Sequence, residues 1–310
     1  MKKLLLGFCL LVGFVNKAQT SVDQLFMQDI ADKFSVEDGA ENVDLFQIAS
    51  DRNKAIKVLS SQGLLLPYEK KMRQDIQYRP LIDMKLIAMT EYQDQFVYLT
   101  DKAVLSNAWA GKLYIDHKIN APKAMGIGPD FLTLIAGESD FVIFKDNQEV
   151  WRSSVQNLNP ISVQHDSNSG QFLVLTADGL YQVDGGLKSA KKVFDGNNLT
   201  AFSCFEDTIV LGTTNGIQIL DRKTFALNKL DQKLPWTDIT SIKNIRGSKW
   251  FGSAKGAFKL REDGKYDYYA SKRWLVDDQV IDLAEGPDGS VLVLTQKGMS
   301  KIDFVPMTLA

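Results

Sequence analysis

The sequence contains little cysteine and little histidine, and this scarcity excludes several classes of protein. Only two of each occur among the 310 residues, so the chain cannot assemble a zinc cluster or a disulfide framework. An excess of basic residues is also lacking, because 36 lysines and arginines stand against 38 aspartates and glutamates. Binding a phosphate backbone depends on such an excess, so nucleic acid is not an expected partner.

Long hydrophobic runs are absent beyond the N-terminus. Two lysines precede an apolar run over residues 4–15, and the small residue Ala18 follows it. The run is too short to cross a bilayer, which needs about 20 residues, and the pattern is that of a secretory signal peptide. We therefore expect residues 1–18 to be removed and residues 19–310 to form one exported domain. Its expected location is the periplasm, the outer-membrane surface or the extracellular space.

The chain does contain a sequence pattern that recurs about every 40 residues, a period typical of solenoids, propellers and repeat arrays. The pattern consists of a short apolar segment, a polar turn, a more strongly apolar segment, a second turn and a segment in which apolar and polar residues alternate. The fourth position of the second turn marks the period. It is occupied in order by Gly63, Ala103, Asp140, Gly179, Gly216, Gly256 and Gly298.

The segments of this pattern are predicted to be β-strands. Runs such as residues 96–99 and 172–175 are too short and too rich in β-branched or aromatic residues for helices. An inner strand precedes each such pair of strands, and a more polar outer strand follows it. Four strands per period correspond to one blade, so the sequence predicts an all-β, seven-bladed β-propeller of four-stranded blades. A straight β-solenoid is the alternative, although its coils are usually shorter.

The two ends of the chain predict how the ring closes. Only residues 303–310 follow the third strand of the last repeat, whereas residues 30–34 form an unmatched strand candidate before the first repeat. The N-terminal segment is therefore expected to supply the missing outer strand, pairing beside residues 299–302. Such a closure removes the exposed sheet edge that an open array presents.

Two segments carry a resemblance to a known family. Residues 249–259, Lys-Trp-Phe-Gly-Ser-Ala-Lys-Gly-Ala-Phe-Lys, and the weaker residues 211–217 resemble the two-component regulator propeller repeat. The resemblance covers most of residues 25–303 and is sharp only in blades five to seven. It implies a periplasmic sensor region, often for glycan fragments, or an envelope or secretion accessory protein of Gram-negative bacteria. Because no kinase or membrane span follows the last repeat, the implied role is that of a free-standing envelope propeller.

The sequence offers few candidates for catalysis. His117 and His165 are the two histidines, and both are predicted to be exposed or turn residues rather than catalytic bases. No phosphate loop, dinucleotide fingerprint or metal-ligand spacing is present, so no cofactor and no metal is expected.

One stretch, residues 266–278, concentrates aromatic and charged side chains. It links an outer strand to the next inner strand, and such side chains stack on sugar rings and hold acidic or hydroxyl groups. The structural alternative is that its tryptophan wedges between blades and its arginine pairs with a neighbouring turn. The candidate binding residues are Lys272, Arg273, Trp274, Asp277 and Asp278, together with Trp236 and Asp238 at the same place one blade earlier.

These features predict a non-catalytic recognition or scaffold module of a bacterial envelope, with a glycan or an envelope protein as its partner. The alternative is a carbohydrate-active enzyme, either a polysaccharide lyase or a glycoside hydrolase, with its site on the same loop face. Paired carboxylates perform the chemistry of such hydrolases. Carboxylates clustered with a tyrosine or histidine at the channel mouth favour the enzyme, whereas a broad aromatic rim without them favours binding.

Overall fold

The structure is a computed structural model that describes residues 25–36, 43–76, 84–107, 113–228 and 233–308. Across these ranges the chain forms 28 β-strands and two short 3₁₀ turns. None of the described residues forms a helix long and apolar enough to span a membrane. The expected signal peptide, residues 1–18, lies outside the described residues.

Seven inner strands stand side by side and close a ring, because each contacts the next and the last contacts the first. Each has a β-bulge near its start, where the register against the following strand shifts. A bulge of this kind bends a strand and increases its twist. The inner strands are β2 (Leu45–Ser50), β6 (Leu86–Tyr92), β10 (Pro122–Ile127), β14 (Pro160–Asp166), β18 (Leu199–Cys204), β22 (Ile239–Ile245) and β26 (Val280–Glu285).

A second and a third strand follow each inner strand in antiparallel order. The second strands are the most deeply buried, since sheets pack on both of their faces. The second strands are β3 (Ile56–Ser60), β7 (Gln95–Thr100), β11 (Thr133–Gly137), β15 (Gln171–Thr176), β19 (Thr208–Thr213), β23 (Ser248–Ser253) and β27 (Val291–Thr295). The third strands are β4 (Gly63–Tyr68), β8 (Ala103–Ser106), β12 (Asp140–Lys145), β16 (Gly179–Asp184), β20 (Gly216–Asp221), β24 (Gly256–Leu260) and β28 (Gly298–Thr308).

The outer strands are shorter or more exposed. Tyr114 and Tyr268 on two of them have about half of their surface in solvent, at 54% and 49%. The shortest outer strand has two residues and the longest has twelve. The outer strands are β5 (Lys71–Gln74), β9 (Tyr114–Asp116), β13 (Gln148–Ser154), β17 (Ser189–Asp195), β21 (Leu227–Asn228), β25 (Tyr266–Tyr269) and the N-terminal β1 (Leu25–Val36).

The turn between the second and third strands has the repeated construction that the sequence period marks. In six of the seven turns a serine or threonine hydroxyl donates a hydrogen bond to the carbonyl oxygen three residues later, over 2.8 to 3.1 Å. The third repeat has Gly137 in place of the hydroxyl residue, and the Asp140 side chain occupies the space that a Cβ there would fill. The six hydroxyl residues are Ser60, Thr100, Thr176, Thr213, Ser253 and Thr295.

The predicted closure by the N-terminal strand is confirmed. Strand β1 pairs antiparallel with β28, and Phe34 lies opposite Met299 in that ladder. Gly298 has a φ of +147°, and a Cβ at this position would lie 2.1 Å from the carbonyl oxygen of Phe34. A residue without a side chain is therefore required where the N-terminal strand crosses the last turn.

The division into sheets differs from the prediction. Five four-stranded sheets stand alone, and the remaining strands form one eight-stranded sheet in the order β2-β3-β4-β5-β1-β28-β27-β26. The sheets merge because Ser35 and Val36, at the end of β1, pair in parallel with Lys71 and Met72 of β5. The prediction of seven separate four-stranded blades is therefore wrong at this joint, whereas the all-β ring of small sheets, the arrangement of a β-propeller, is present.

Candidate functional site

The candidate segment lies on a tightly held loop between β25 and β26, residues 270–279. The backbone N–H groups of Trp274 and Leu275 both donate to the carbonyl oxygen of Ala270, at 2.9 and 3.1 Å. Leu275 is fully buried, and the N–H of Val276 donates to the hydroxyl of Ser300 over 3.1 Å. This apolar anchor and these bonds hold the loop against the last sheet, so its exposed side chains project from a rigid base.

Trp274 is half-buried, and its ring is already in contact with two neighbours. It meets Tyr269 edge to face with 5.4 Å between ring centroids. The guanidinium of Arg273 lies over the indole, 4.7 Å from its centroid. The indole Nε1 is buried without a hydrogen-bond partner among the described residues. A sugar stacking on the face that Arg273 covers must therefore displace that guanidinium.

The two carboxylates of this loop turn inward and accept hydrogen bonds from the backbone. Asp278 accepts from the N–H of Ser271 over 2.7 Å, and Asp277 accepts from that of Gln279 over 3.3 Å. Asp277 also lies 3.4 Å from the ammonium of Lys297 in the neighbouring turn. These carboxylates act as turn formers that shape the loop. Lys272 and Arg273, by contrast, are exposed.

The corresponding loop one sheet earlier, residues 233–238, carries Trp236 and Asp238. Asp238 accepts a hydrogen bond from the N–H of Ala254 in the adjoining turn over 3.1 Å. Trp236 meets Phe258 and Tyr268 edge to face, each with 5.8 Å between centroids. Trp236 therefore packs over the sheet that contains β24 and β25, which follows its loop in the chain.

The two tryptophans belong to different apolar clusters, and one turn lies between Trp236 and the end of β25, which leads into the loop of Trp274. Gly256 in that turn has a φ of +123°, and a Cβ there would lie 2.4 Å from the carbonyl oxygen of Tyr269 and 3.2 Å from the Trp236 ring. The glycine thus lets the two loops approach from either side. The expected residues are brought to the same side of the ring, although no contact joins Trp236 to Trp274 in the described part of the chain.

The histidines differ from the prediction that both are exposed or turn residues. His117 is only 4% exposed, and its Nε2 lies 3.1 Å from the carbonyl oxygen of Thr100. Burial lowers the pKa of this imidazole, and the carbonyl of Thr100 with nearby Asp116 and Asp101 offsets only part of the shift. His165 is half-buried and packs edge to face on Phe172.

A buried ion pair that the sequence did not predict lies on the opposite side of the ring. The carboxylate of Asp166 is 5% exposed and the side chain of Arg222 is 9% exposed, and the two groups are hydrogen-bonded to each other. Arg222 also donates to the carbonyl oxygen of Phe205 over 2.6 Å. A cavity of about 390 Å³ adjoins the pair between the fourth and fifth sheets in chain order. Residues 166–170, Asp-Ser-Asn-Ser-Gly, have the composition of a polar turn, but nothing local in the sequence identifies the distant Arg222 as the partner of Asp166.

Comparisons with known proteins identify the fold without identifying a family. No family model matches the sequence, and no curated protein sequence matches it. Among solved structures, a streptogramin B lyase superposes with a TM-score of 0.70 at 11% identity, covering 89% of this chain and 98% of the lyase. A catalytically inactive virginiamycin B lyase from Staphylococcus aureus, bound to quinupristin, gives 0.67 at 8% identity over 92% of this chain and all of the lyase.

A third similar structure comes from a sensor protein. The extracellular domain of a putative one-component system from B. thetaiotaomicron superposes with a TM-score of 0.66 at 15% identity and covers 87% of this chain. This chain spans only 39% of that domain's length. Similarity at such low identity establishes the β-propeller fold alone, because one fold supports many unrelated functions.

Proposed function

We propose that this chain is an exported, non-catalytic β-propeller that recognises a glycan or an envelope protein on the face formed by its link loops. One observation carries the proposal: Lys272, Arg273 and the half-buried Trp274 project from a loop that Leu275 and Ser300 fix to the sheet. Binding sites are commonly loops that a rigid scaffold positions. In this proposal residues 1–18 act as the signal peptide and residues 19–310 form one domain.

We further propose that the eight-stranded sheet consists of two blades joined at their outer strands, which gives seven blades in all. The seven inner strands, each with the same bulge near its start, support this division. The joint between the two halves consists of two residue pairs, whereas each half has the antiparallel order of the other sheets.

The alternative of a carbohydrate-active enzyme has less support from the geometry. Asp277 and Asp278 accept backbone hydrogen bonds, and neither is hydrogen-bonded to a tyrosine or histidine in the part of the chain that the structure describes. The virginiamycin B lyase is inactive when one histidine is replaced by alanine. In this chain, His117 is instead within hydrogen-bond distance of the Thr100 carbonyl oxygen, and His165 packs on the ring of Phe172.

A glycan array probed with the mature chain and with Trp274→Ala tests the proposal. We expect binding without release of cleavage products. We expect Trp274→Ala to weaken binding fivefold to a hundredfold, since aromatic stacking is worth about 1 to 3 kcal/mol by analogy with bases. Trp151→Ala is the matched control, because Trp151 is also a half-buried tryptophan but lies on β13 in another sheet.

Two results would contradict this proposal. If Trp274→Ala and the unmodified chain had equal affinity for every bound glycan, the ligand would not bind at this loop. Cleavage products that disappear in an Asp277→Ala and Asp278→Ala double variant would favour the enzyme.

A further inference from the structure

Four loop elements lie in succession on one side of the ring and form a continuous surface. The link at residues 233–238 contacts the turn at 253–256 through Asp238 and Ala254. That turn meets the beginning of the link at 270–279, because Gly256 closely approaches Tyr269. The second link contacts the turn at 295–298 through its ion pair with Lys297. We name the surface of these four elements the basic link face.

On the basic link face the positively charged side chains are exposed, whereas the negatively charged ones are partly buried. Its three carboxylates are partly buried, and each accepts a hydrogen bond from a backbone N–H group. In the one ion pair between two of the elements, the side chain of Lys297 is 74% exposed and that of Asp277 is 19% exposed. All five cations are exposed, namely Lys233, Lys255, Lys272, Arg273 and Lys297. The face therefore presents positive charge to solvent although the whole chain carries a net charge of −2.

The guanidinium of Arg273 is also pre-positioned. It lies on the indole of Trp274, 4.7 Å from the ring centroid. A stacked guanidinium keeps its N–H groups at its edge, where they can bind a carboxylate through two parallel hydrogen bonds. Because the contact with the indole already holds the guanidinium in place, less side-chain freedom is lost when a carboxylate binds.

We propose that the ligand of the basic link face is an acidic polysaccharide that carries carboxylate groups. This inference rests on the proposed function and specifies its ligand class. Cations distributed over four elements complement a polymer with repeated negative charges, since each element reaches a different charge. The Trp236 ring lies against the turn that carries Lys255 and meets the half-exposed Tyr268 edge to face, so the two rings offer apolar surface to the C–H faces of sugars.

The test measures binding of three polymers to the full mature chain in low salt: polygalacturonate, a neutral galactan and polyglutamate. We expect polygalacturonate to bind best and its affinity to fall as salt rises, because salt screens exposed charges. A Lys272→Gln and Arg273→Gln double variant should lose about tenfold in affinity, which corresponds to ~1.4 kcal/mol. Arg273→Lys should lose less, since it keeps the charge but not the two-pronged donor.

The matched control is a Lys145→Gln and Lys191→Gln double variant, which removes two exposed lysines from β12 and β17 outside the basic link face. Its affinity should equal that of the unmodified chain. Preferred binding of polyglutamate would assign the face to an acidic protein and overturn the inference, as would no binding of polygalacturonate or an equal loss in the control. A neutral glycan bound with unchanged affinity by the Lys272 and Arg273 variant would also overturn it, yet would leave the proposed recognition function standing.

Discussion

At the scale of single residues, a buried ion pair between Asp166 and Arg222 connects two neighbouring sheets. Asp166 ends β14 and Arg222 follows β20, so the pair joins the fourth and fifth sheets. Ser169 and the N–H of Asn168 donate to the same carboxylate. A buried charge that loses its partner is left uncompensated, which typically costs about 3 to 5 kcal/mol.

We therefore expect Arg222→Gln to lower the free energy of unfolding by about 3 to 5 kcal/mol at pH 7, measured by urea denaturation. Burial alone raises the pKa of Asp166, but hydrogen bonds from Arg222, Ser169 and Asn168, with the Arg222 charge, bring it below its ordinary value of 3.8. Because the native pKa is depressed, this stabilisation is present above pH 3.8 and is lost as the pH falls through the native value. The difference in the free energy of unfolding between Arg222→Gln and the unmodified chain should become smaller over that acid range.

An exposed ion pair serves as the control for this prediction. Lys54 and Asp288 pair with 62% and 66% of their side chains exposed. Asp288→Asn should leave stability almost unchanged at pH 7, since solvent screens such pairs. Equal effects of Arg222→Gln and Asp288→Asn, or a gap that widens in acid, would contradict the assignment.

At the scale of the element, the second turn of each repeat combines backbone conformation with contact. Gly298→Ala should destabilise the chain because φ is +147° and because the added Cβ meets the Phe34 carbonyl. Gly216→Ala separates the two causes, since its φ is +129° but nothing lies within 4 Å of its Cβ. We expect about 1 to 3 kcal/mol from the backbone strain in both variants. Gly298→Ala alone should lose additional stability, seen as a lower midpoint of urea denaturation than that of Gly216→Ala. Equal midpoints would argue against a close contact between the Gly298 turn and Phe34.

The elements that the sequence predicted well are those specified by local pattern. The turn glycines, the alternating strands and the leftover N-terminal strand all follow from short-range periodicity, and the structure places them as expected. What could not be predicted depends on distant partners. The burial of His117 requires the carbonyl oxygen of Thr100 on another strand, and the merged sheet requires two residues of β1 to meet β5. The inward orientation of Asp277 and Asp278 likewise depends on which backbone N–H groups the folded loop leaves unpaired.

At the scale of the whole molecule, β1 joins the two ends of the ring. It pairs with β28 along eleven residues and with β5 along two, so one strand connects the last repeat to the first. The hydroxyl of Tyr269 also donates to the carboxylate of Asp29 over 3.0 Å, and the ammonium of Lys33 donates to the carbonyl oxygen of Ser271. The N-terminal strand thus supports the link loop that carries Trp274, which ties the binding face to ring closure.

Deleting residues 19–36 tests this role of β1. The deletion removes every β1 contact and leaves the edges of β28 and β5 exposed, so we expect a loss well above the few kcal/mol that a marginally stable protein can spare. Deleting residues 19–24 is the matched control, because it shortens the chain while leaving all described strand pairs in place. Thermal melting of both truncations measures the difference. If the 19–36 deletion melts within about 2 °C of the shorter one, a change of only about 1 kcal/mol for a chain of this size, then the ring is held by its inner strands and not by β1.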